Sequence, residues 1–362
     1  MSARPMTSLE RVLTTLDHRE PDRVPLFLLL TMHGAHELGL SIETYFSRPE
    51  YVIEGQLRLR RKYRNDCFYT FFYASIETEA WGGDVHFTED GPPNAGRPFI
   101  RTPEQIRTLE PPRVADCPCL IKVLETTSGL KAAGRDETPI IGVVMSPFSV
   151  PVMQMGFEAY FNLMFEQPAL FERLMRVNEA FCIEWANAQL ASGATAICYF
   201  DPVSSSTIVS PEHFRRTGLQ VAMRTLAGIK GPVAMHFASG RCMPILEELP
   251  RTGAAVIGVS MLDDLAALKQ RAAGNMPLLG NLNGIEMRRW TPEQAEEQVK
   301  AAIAAAGHGG GFILSDNHGE IPYQVTESTL LAIAEAVQRW GTYPLDVSRD
   351  GASSTPLKGP RS

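Results

Sequence analysis

The chain is 362 residues long, 44% hydrophobic and 21% charged, with a net charge of −7 at pH 7 and a mean hydropathy of −0.09. That acidic balance leaves no basic face for nucleic acid, and no stretch reaches the roughly 18 uncharged apolar residues of a membrane span. The six cysteines form no disulfide framework and the start, MSARPMTSLERVL, has no secretory apolar core, so a cytoplasmic protein with reduced thiols is expected.

Short apolar runs, each leading into a polar or glycine-rich turn, recur along the chain. In order they are residues 24–31 (VPLFLLLT), 67–72 (CFYTFF), 140–146 (IIGVVMS), 196–201 (AICYFD), 233–238 (VAMHFA), 256–261 (VIGVSM), 277–283 (PLLGNLN) and 312–316 (FILSD). They are continuous rather than alternating, as in strands buried on both faces. Helical patterns separate most of them. Residues 211–226 carry Phe214, Leu219 and Met223 on one stripe, residues 243–249 follow the fifth run, and residues 292–306 precede the eighth. Ser210-Pro211-Glu212 and Thr291-Pro292-Glu293 each put a hydroxyl residue before a proline, which marks a helix start. Residues 75–115 alternate polar and apolar residues among turn formers and predict a hairpin inserted after the second strand. Residues 346–362 lack apolar periodicity and read as a disordered tail.

Eight buried strands alternating with helices predict an α/β protein: one (β/α)8 TIM barrel, a single domain over residues 1–345. An open doubly wound sheet would carry a phosphate-binding glycine fingerprint after its first strand. The first run is followed instead by MHGAHELG, which lacks that spacing.

In such a barrel the reactive groups sit just past the C-terminal ends of the strands. Reading those ends in order gives Thr31, His33 and His36; Glu77 and Glu79; Ser146; Asp201 with Ser204, Ser205 and Ser206; His236, Arg241 and Cys242; Ser260, Asp263 and Asp264; Asn281 and Asn283; and Asp316, His318 and Glu320. Histidines, carboxylates and a cysteine facing one mouth are donors that zinc accepts. Each also has an ordinary reading. A strand-end histidine can be a hydrogen-bonded core residue, Asp201-Pro202 a turn start, Glu77 and Glu79 solvated loop charges, and Cys242 core packing. Cys117-Pro-Cys119 stands in a proline-rich loop without partner ligands.

The segment SLERVLTTLDHREPDRVPLF resembles the N-terminal signature of the uroporphyrinogen decarboxylase superfamily, above all its methylcobamide:thiol methyltransferase branch. IETEAWGG, YFDPVSSSTIVSPEHF, GNLNG and ILSDNHGEIPYQVTESTLLAIAEAV resemble later blocks of that branch in order, so the resemblance spans about residues 7–340. It implies the barrel fold and methyl transfer between a small methylated substrate and the cobalt of a corrinoid (cobalamin). A separate corrinoid carrier protein would be the partner, since no corrinoid domain is recognised here. A homodimer is left open, and no nucleic-acid or membrane partner is expected.

Decarboxylase members hold tetrapyrrole carboxylates with arginines after the first strand. Here that place reads LLLTMHGAHELG, without arginine, so tetrapyrrole decarboxylation is not expected. Methyltransferase members bind zinc through a His-x-Cys after strand five and a cysteine after strand eight. His236-Phe237-Ala238 and Asp316-Asn317-His318-Gly319-Glu320 lack both thiolates. The resemblance therefore implies either a metal-free site or zinc on a harder set drawn from His236, His318, Asp316 and Glu320, with Glu77 or Glu79. Such a site would suit a methoxylated donor, as in O-demethylases. On this reading Glu79, Asp201 and His236 are catalytic, while Glu77, His33, Ser146, Asn281, Asn283 and Arg241 contact substrate. Two other readings stay open. One is a metal-free lyase or decarboxylase, without corrinoid, acting on an organic acid or tetrapyrrole, with Asp201 or His236 as acid and Arg241 holding the anion. The other is a catalytically silent barrel serving as a binding partner.

Overall fold

The computed structural model describes residues 4–346, so the predicted tail lies outside the described residues beyond Asp346. Eight strands, β1 (Leu26–Phe27), β2 (Phe68–Tyr69), β3 (Ile140–Met145), β4 (Ala196–Phe200), β5 (Val233–His236), β6 (Val256–Gly258), β7 (Leu278–Leu282) and β8 (Phe312–Asp316), form one parallel sheet in the order β1-β8-β7-β6-β5-β4-β3-β2. Helices lie between them in sequence, which is the (β/α)8 arrangement. Among the described residues no helix is long and apolar enough to cross a membrane.

β1 and β2 share no strand ladder, and side chains seal the seam between them. The Asp66 N–H donates to Leu26 O (2.8 Å), and the Leu26 N–H donates to the Asp66 carboxylate (2.9 Å). The Asn65 amide takes the Leu28 N–H and donates to the Leu28 carbonyl, both at 2.9 Å. These bonds satisfy backbone groups that a neighbouring strand would otherwise meet. The first run therefore supplies only two ladder residues, fewer than its eight letters suggest.

Side chains alternate between the lumen and the helical layer along each strand. Phe27, Tyr69, Ile141, Cys198, Leu279 and Ile313 belong to a buried cluster inside the barrel. A second, larger cluster joins the outer strand faces to the helices. The helix Ser8–Leu16, capped by Thr7 and Glu10 as a capping box, brings Val12 against the lumen cluster and closes the N-terminal end.

The helical stripe over 211–226 is divided. Helix Pro211–Arg216 ends at Thr217 (φ −124°, ψ −83°), and helix Gly218–Gly228 begins beside Ser204, where a Cβ on Gly218 would sit 2.7 Å from the serine Cβ. Within residues 75–115, an antiparallel ribbon pairs Val85–His86 with Asn94–Ala95. Its tip reaches the loop after β8, where the Gln324 side chain donates to Asp90 O at 2.6 Å.

Candidate active site

At the C-terminal end of the lumen, register sets the neighbours. Met145 pairs with Phe200, Phe200 with His236 and His236 with Gly258, while Ser315 pairs with Asn281. A Cβ at position 258 would lie 2.2 Å from the His236 Cδ2, so glycine is what lets the ring lie across β6. The Ala238 N–H donates to His236 Nδ1 at 2.9 Å, from a left-handed backbone (φ 51°). This bond makes Nδ1 the acceptor and leaves Nε2 to carry the proton of the neutral ring. Burial, reinforced by the nearby His318, holds the His236 pKa down to about 4, so it is neutral at pH 7. The Phe200 ring packs against it at 4.8 Å.

The turn after β8 is internally braced. Asp316 Oδ2 accepts the N–H groups of His318 (3.0 Å) and Gly319 (2.9 Å), and burial raises its pKa against those bonds. His318 Nδ1 is 2.7 Å from Ser239 Oγ, which ties the loop after β5 to the loop after β8. Glu320 accepts the Thr31 hydroxyl, and burial together with the nearby Asp316 carboxylate pushes its pKa up to about 8. Glu320 stands in the walls of two recesses, of about 330 and 370 Å³; the first also meets Met32, Ile285, Arg288, His318 and Tyr323. The ribbon supplies Pro92 to both walls.

The other expected acids take different positions. Asp201 is fully buried, with Ser146 Oγ (2.5 Å) and Ser149 Oγ (2.8 Å) donating to Oδ1 and Ser204 Oγ (2.5 Å) to Oδ2. Ser149 Oγ also accepts the Val203 N–H at 3.1 Å, so the cluster locks the loop after β3 to the loop after β4. Asp201 and Ser146 therefore act in the structure as organisers of two loops. Burial raises the Asp201 pKa, and the three hydroxyls oppose it. Glu77 is buried, accepts the Met145 N–H at 2.7 Å, and is raised by burial to about 8. Glu79 accepts the Tyr73 hydroxyl at 2.7 Å.

His33 is 4% exposed, and neither ring nitrogen has a hydrogen-bond partner among the described residues. Burial, with His36 beside it, lowers its pKa to about 3. It lines a recess of about 520 Å³ shared with His36 and Tyr323, whose rings stack at 3.7 Å. Asn281 donates to Ser260 O (3.3 Å), and Asn283 accepts the Glu286 N–H (3.2 Å), bracing the loop after β7. Arg241 is exposed; its backbone, bonded to Ser206 and Thr207, holds the loop, and its guanidinium has no ion-pair partner among the described residues. Cys242 is buried with its thiol pKa raised by burial, and the Cys242 and Met243 N–H groups are capped by Asp263.

The residues expected to hold zinc do not converge as a ligand set. Asp316, Glu320 and His318 are each engaged by the loops around them, and no group of three or more His, Cys, Asp or Glu side chains could hold an ion among the described residues. That donor set does not fit zinc. Ser149, Ser239, Tyr323 and Gly258 shape the site and were not singled out from the sequence. Gly258, a glycine inside an apolar run, was the only one with a local signal.

The family model described as Uroporphyrinogen decarboxylase (URO-D) matches residues 7–340. The chain belongs to this family. It is 27% identical over 304 residues to the uroporphyrinogen decarboxylase of Cupriavidus pinatubonensis, covering 79% of this chain and 82% of that protein. To the enzyme of the same name from Methylococcus capsulatus it is 26% identical, over 81% of this chain and 84% of the other. Among solved structures, a methyltransferase from Methanosarcina mazei superposes with a TM-score of 0.79 at 18% identity, covering 92% of this chain and 99% of that one. A B12-independent methionine synthase from Shewanella sp. W3-18-1 gives a TM-score of 0.51 at 13% identity, over 82% and 89%. At these identities the two structures speak for the fold. The relatives are named as decarboxylase enzymes, and the fold is shared with a methyltransferase.

Proposed function

We propose that this chain moves a methyl group from a small, neutral methylated substrate to a corrinoid carried by a separate protein, using its own acids to activate the leaving group. The observation that carries the reading is Glu320, a carboxyl with a pKa of about 8 in the wall of the mouth. At pH 7 such a group is mostly protonated. It can donate to an ether oxygen or other heteroatom as the bond to methyl breaks, and the bonding pair stays on that heteroatom. The carboxylate left behind recovers its proton from solvent. His236 offers Nε2–H from the lumen, where Phe200 and Met145 supply apolar walls. In the Glu320 recess Arg288 and Asp90 oppose one another, and His236 and Glu320 are neutral at pH 7, a balance that favours a neutral substrate over an anionic one.

The methyl acceptor on this reading is the corrinoid cobalt, reached through the open end of the barrel. Ile208, Met261, Leu262 and Ile285, on the loops after β4, β6 and β7, are exposed apolar residues at that end and suit a docking carrier. Decarboxylation is the second reading, favoured by the names of the relatives. It needs a cation for the substrate carboxylate, and Arg288, beside Glu320 in the recess wall, is the residue placed to provide one.

The test is anaerobic incubation with cob(I)alamin and a panel of methoxylated and other neutral methyl donors, read by the absorbance of methylated cobalamin. Transfer that weakens above about pH 8 and drops by roughly a hundredfold or more in Glu320→Gln is expected. Carbon dioxide released from uroporphyrinogen or another organic acid, with no methyl transfer from any donor, would install the decarboxylase instead.

A further inference from the structure

On the N-terminal face of the barrel, opposite the mouth, lies a polar recess of about 310 Å³ whose charges do not cancel. Arg11 and Arg23 form part of its wall but are spoken for. Arg11 binds Asp22 and Asp66 at 2.6 Å, and Arg23 binds Asp66 at 2.7 Å. Three further arginines, Arg60, Arg61 and Arg64, line the recess without a carboxylate partner among the described residues. Glu137 is the one other acidic side chain in the wall, and it forms no ion pair with them.

Arg60 shows the imbalance most clearly. It is half-buried over the Phe68 ring at 5.5 Å; among the described residues its buried Nε has no hydrogen-bond partner and its one side-chain bond is a 3.3 Å contact to Ser8 Oγ. A guanidinium taken out of water without a counter-ion is unfavourable, and an oxyanion would relieve it. Desolvation lowers its pKa, in line with that cost. Arg64 follows the end of the helix Pro49–Tyr63 in a left-handed conformation (φ 54°) that glycine adopts more cheaply. Thr7 and Ser8, at the start of helix Ser8–Leu16, complete the wall.

We infer that this recess is a binding site for a small phosphate-type dianion, gripped by Arg60, Arg61 and Arg64. Three guanidinium groups set against Glu137 leave an excess of two positive charges, which such an anion matches, and arginine forks fit tetrahedral oxyanions in bidentate fashion. The recess is concave and small, so it suits a free phosphate or a phosphomonoester. It lies at the other end of the barrel from Glu320 and His236, so occupancy acts on stability through linkage and not on the chemistry.

The test is calorimetric and thermal-shift titration of the full chain with orthophosphate and with glycerol phosphate in low salt, against chloride of equal ionic strength. The expected result is saturable binding that raises the thermal midpoint, weakens as sodium chloride is added, and falls by roughly tenfold or more in the double variant Arg61→Ala/Arg64→Ala. Both positions are exposed, and the unliganded midpoint of the variant serves as the check that it folds. Preference between the two ligands tells a free ion from a phosphorylated metabolite. Equal affinity in the variant and the parent would put the anion elsewhere and overturn the assignment, as would no saturable response to either ligand at millimolar concentration.

Discussion

At one end of the barrel Asp66 is gripped by Arg11 and Arg23, while at the other Glu320 has the Thr31 hydroxyl and no basic ion-pair partner among the described residues. The same contrast runs through both ends. Asp22 meets Arg11, whereas Asp201 meets three serine hydroxyls, Asp316 two backbone amides and Glu77 one. Carboxylates bonded to guanidinium groups stay ionised and act as fasteners. Carboxyls buried among neutral donors hold their protons to higher pH and can give them up, which is the property an acid catalyst requires. One chain thus uses the same functional group as a rivet at its closed end and as a proton store at its open end.

That contrast can be broken most forcefully at Asp66. Asp66→Ala leaves Arg23 without its carboxylate, Arg11 with Asp22 alone and the Leu26 N–H unmet, and is expected to cost about 3–5 kcal/mol, measured by urea unfolding. A loss below about 1 kcal/mol would mean that charge pairing does not hold that end. The next effect is a pH slope. Glu77 and Glu320 have folded pKa values near 8 against an ordinary 4.5, so between those values the folded state binds more protons than the unfolded one. Their contribution is fully present below about 4.5 and is lost as pH rises through about 8, so the thermal midpoint should fall over that window. Glu77→Gln and Glu320→Gln should each flatten the fall, and an unchanged slope in both would remove the proton store. Ser149→Ala is smaller. It takes one hydroxyl from Asp201 and leaves the Val203 N–H unmet, at a cost of about 1–2 kcal/mol in chemical denaturation. The smallest expected effect is none: exhaustive chelation should leave both methyl transfer and thermal midpoint where they were, and a loss reversed by zinc would return the metal to the site.

The strands were legible because buried parallel strands announce themselves as apolar runs. The eighth run, residues 312–316, coincides with β8, and the capping signals at Thr291 and Ser210 mark true helix starts. The break at Thr217 was not legible, because the apolar stripe passes through it and the crowding by Ser204 comes from another loop. Reading strand ends picks out His236, Asp316, His318 and Glu320, which the fold sets at or just past the ends of β5 and β8. What each one does depends on partners far away in sequence. Thr31 lies 289 residues from Glu320, and Ser146 lies 55 from Asp201. A ligand list drawn from strand ends treats all these groups as free, whereas folding has already spent several of them on hydrogen bonds.

The seam between β1 and β2 has a consequence for inheritance. The neighbouring strands elsewhere in the sheet are joined by backbone ladders, and a ladder survives exchange of nearly any side chain along it. The closing junction is written in Asn65 and Asp66 instead. A single codon change at either residue removes side-chain bonds that no ladder replaces, so drift in the gene is felt at this short stretch.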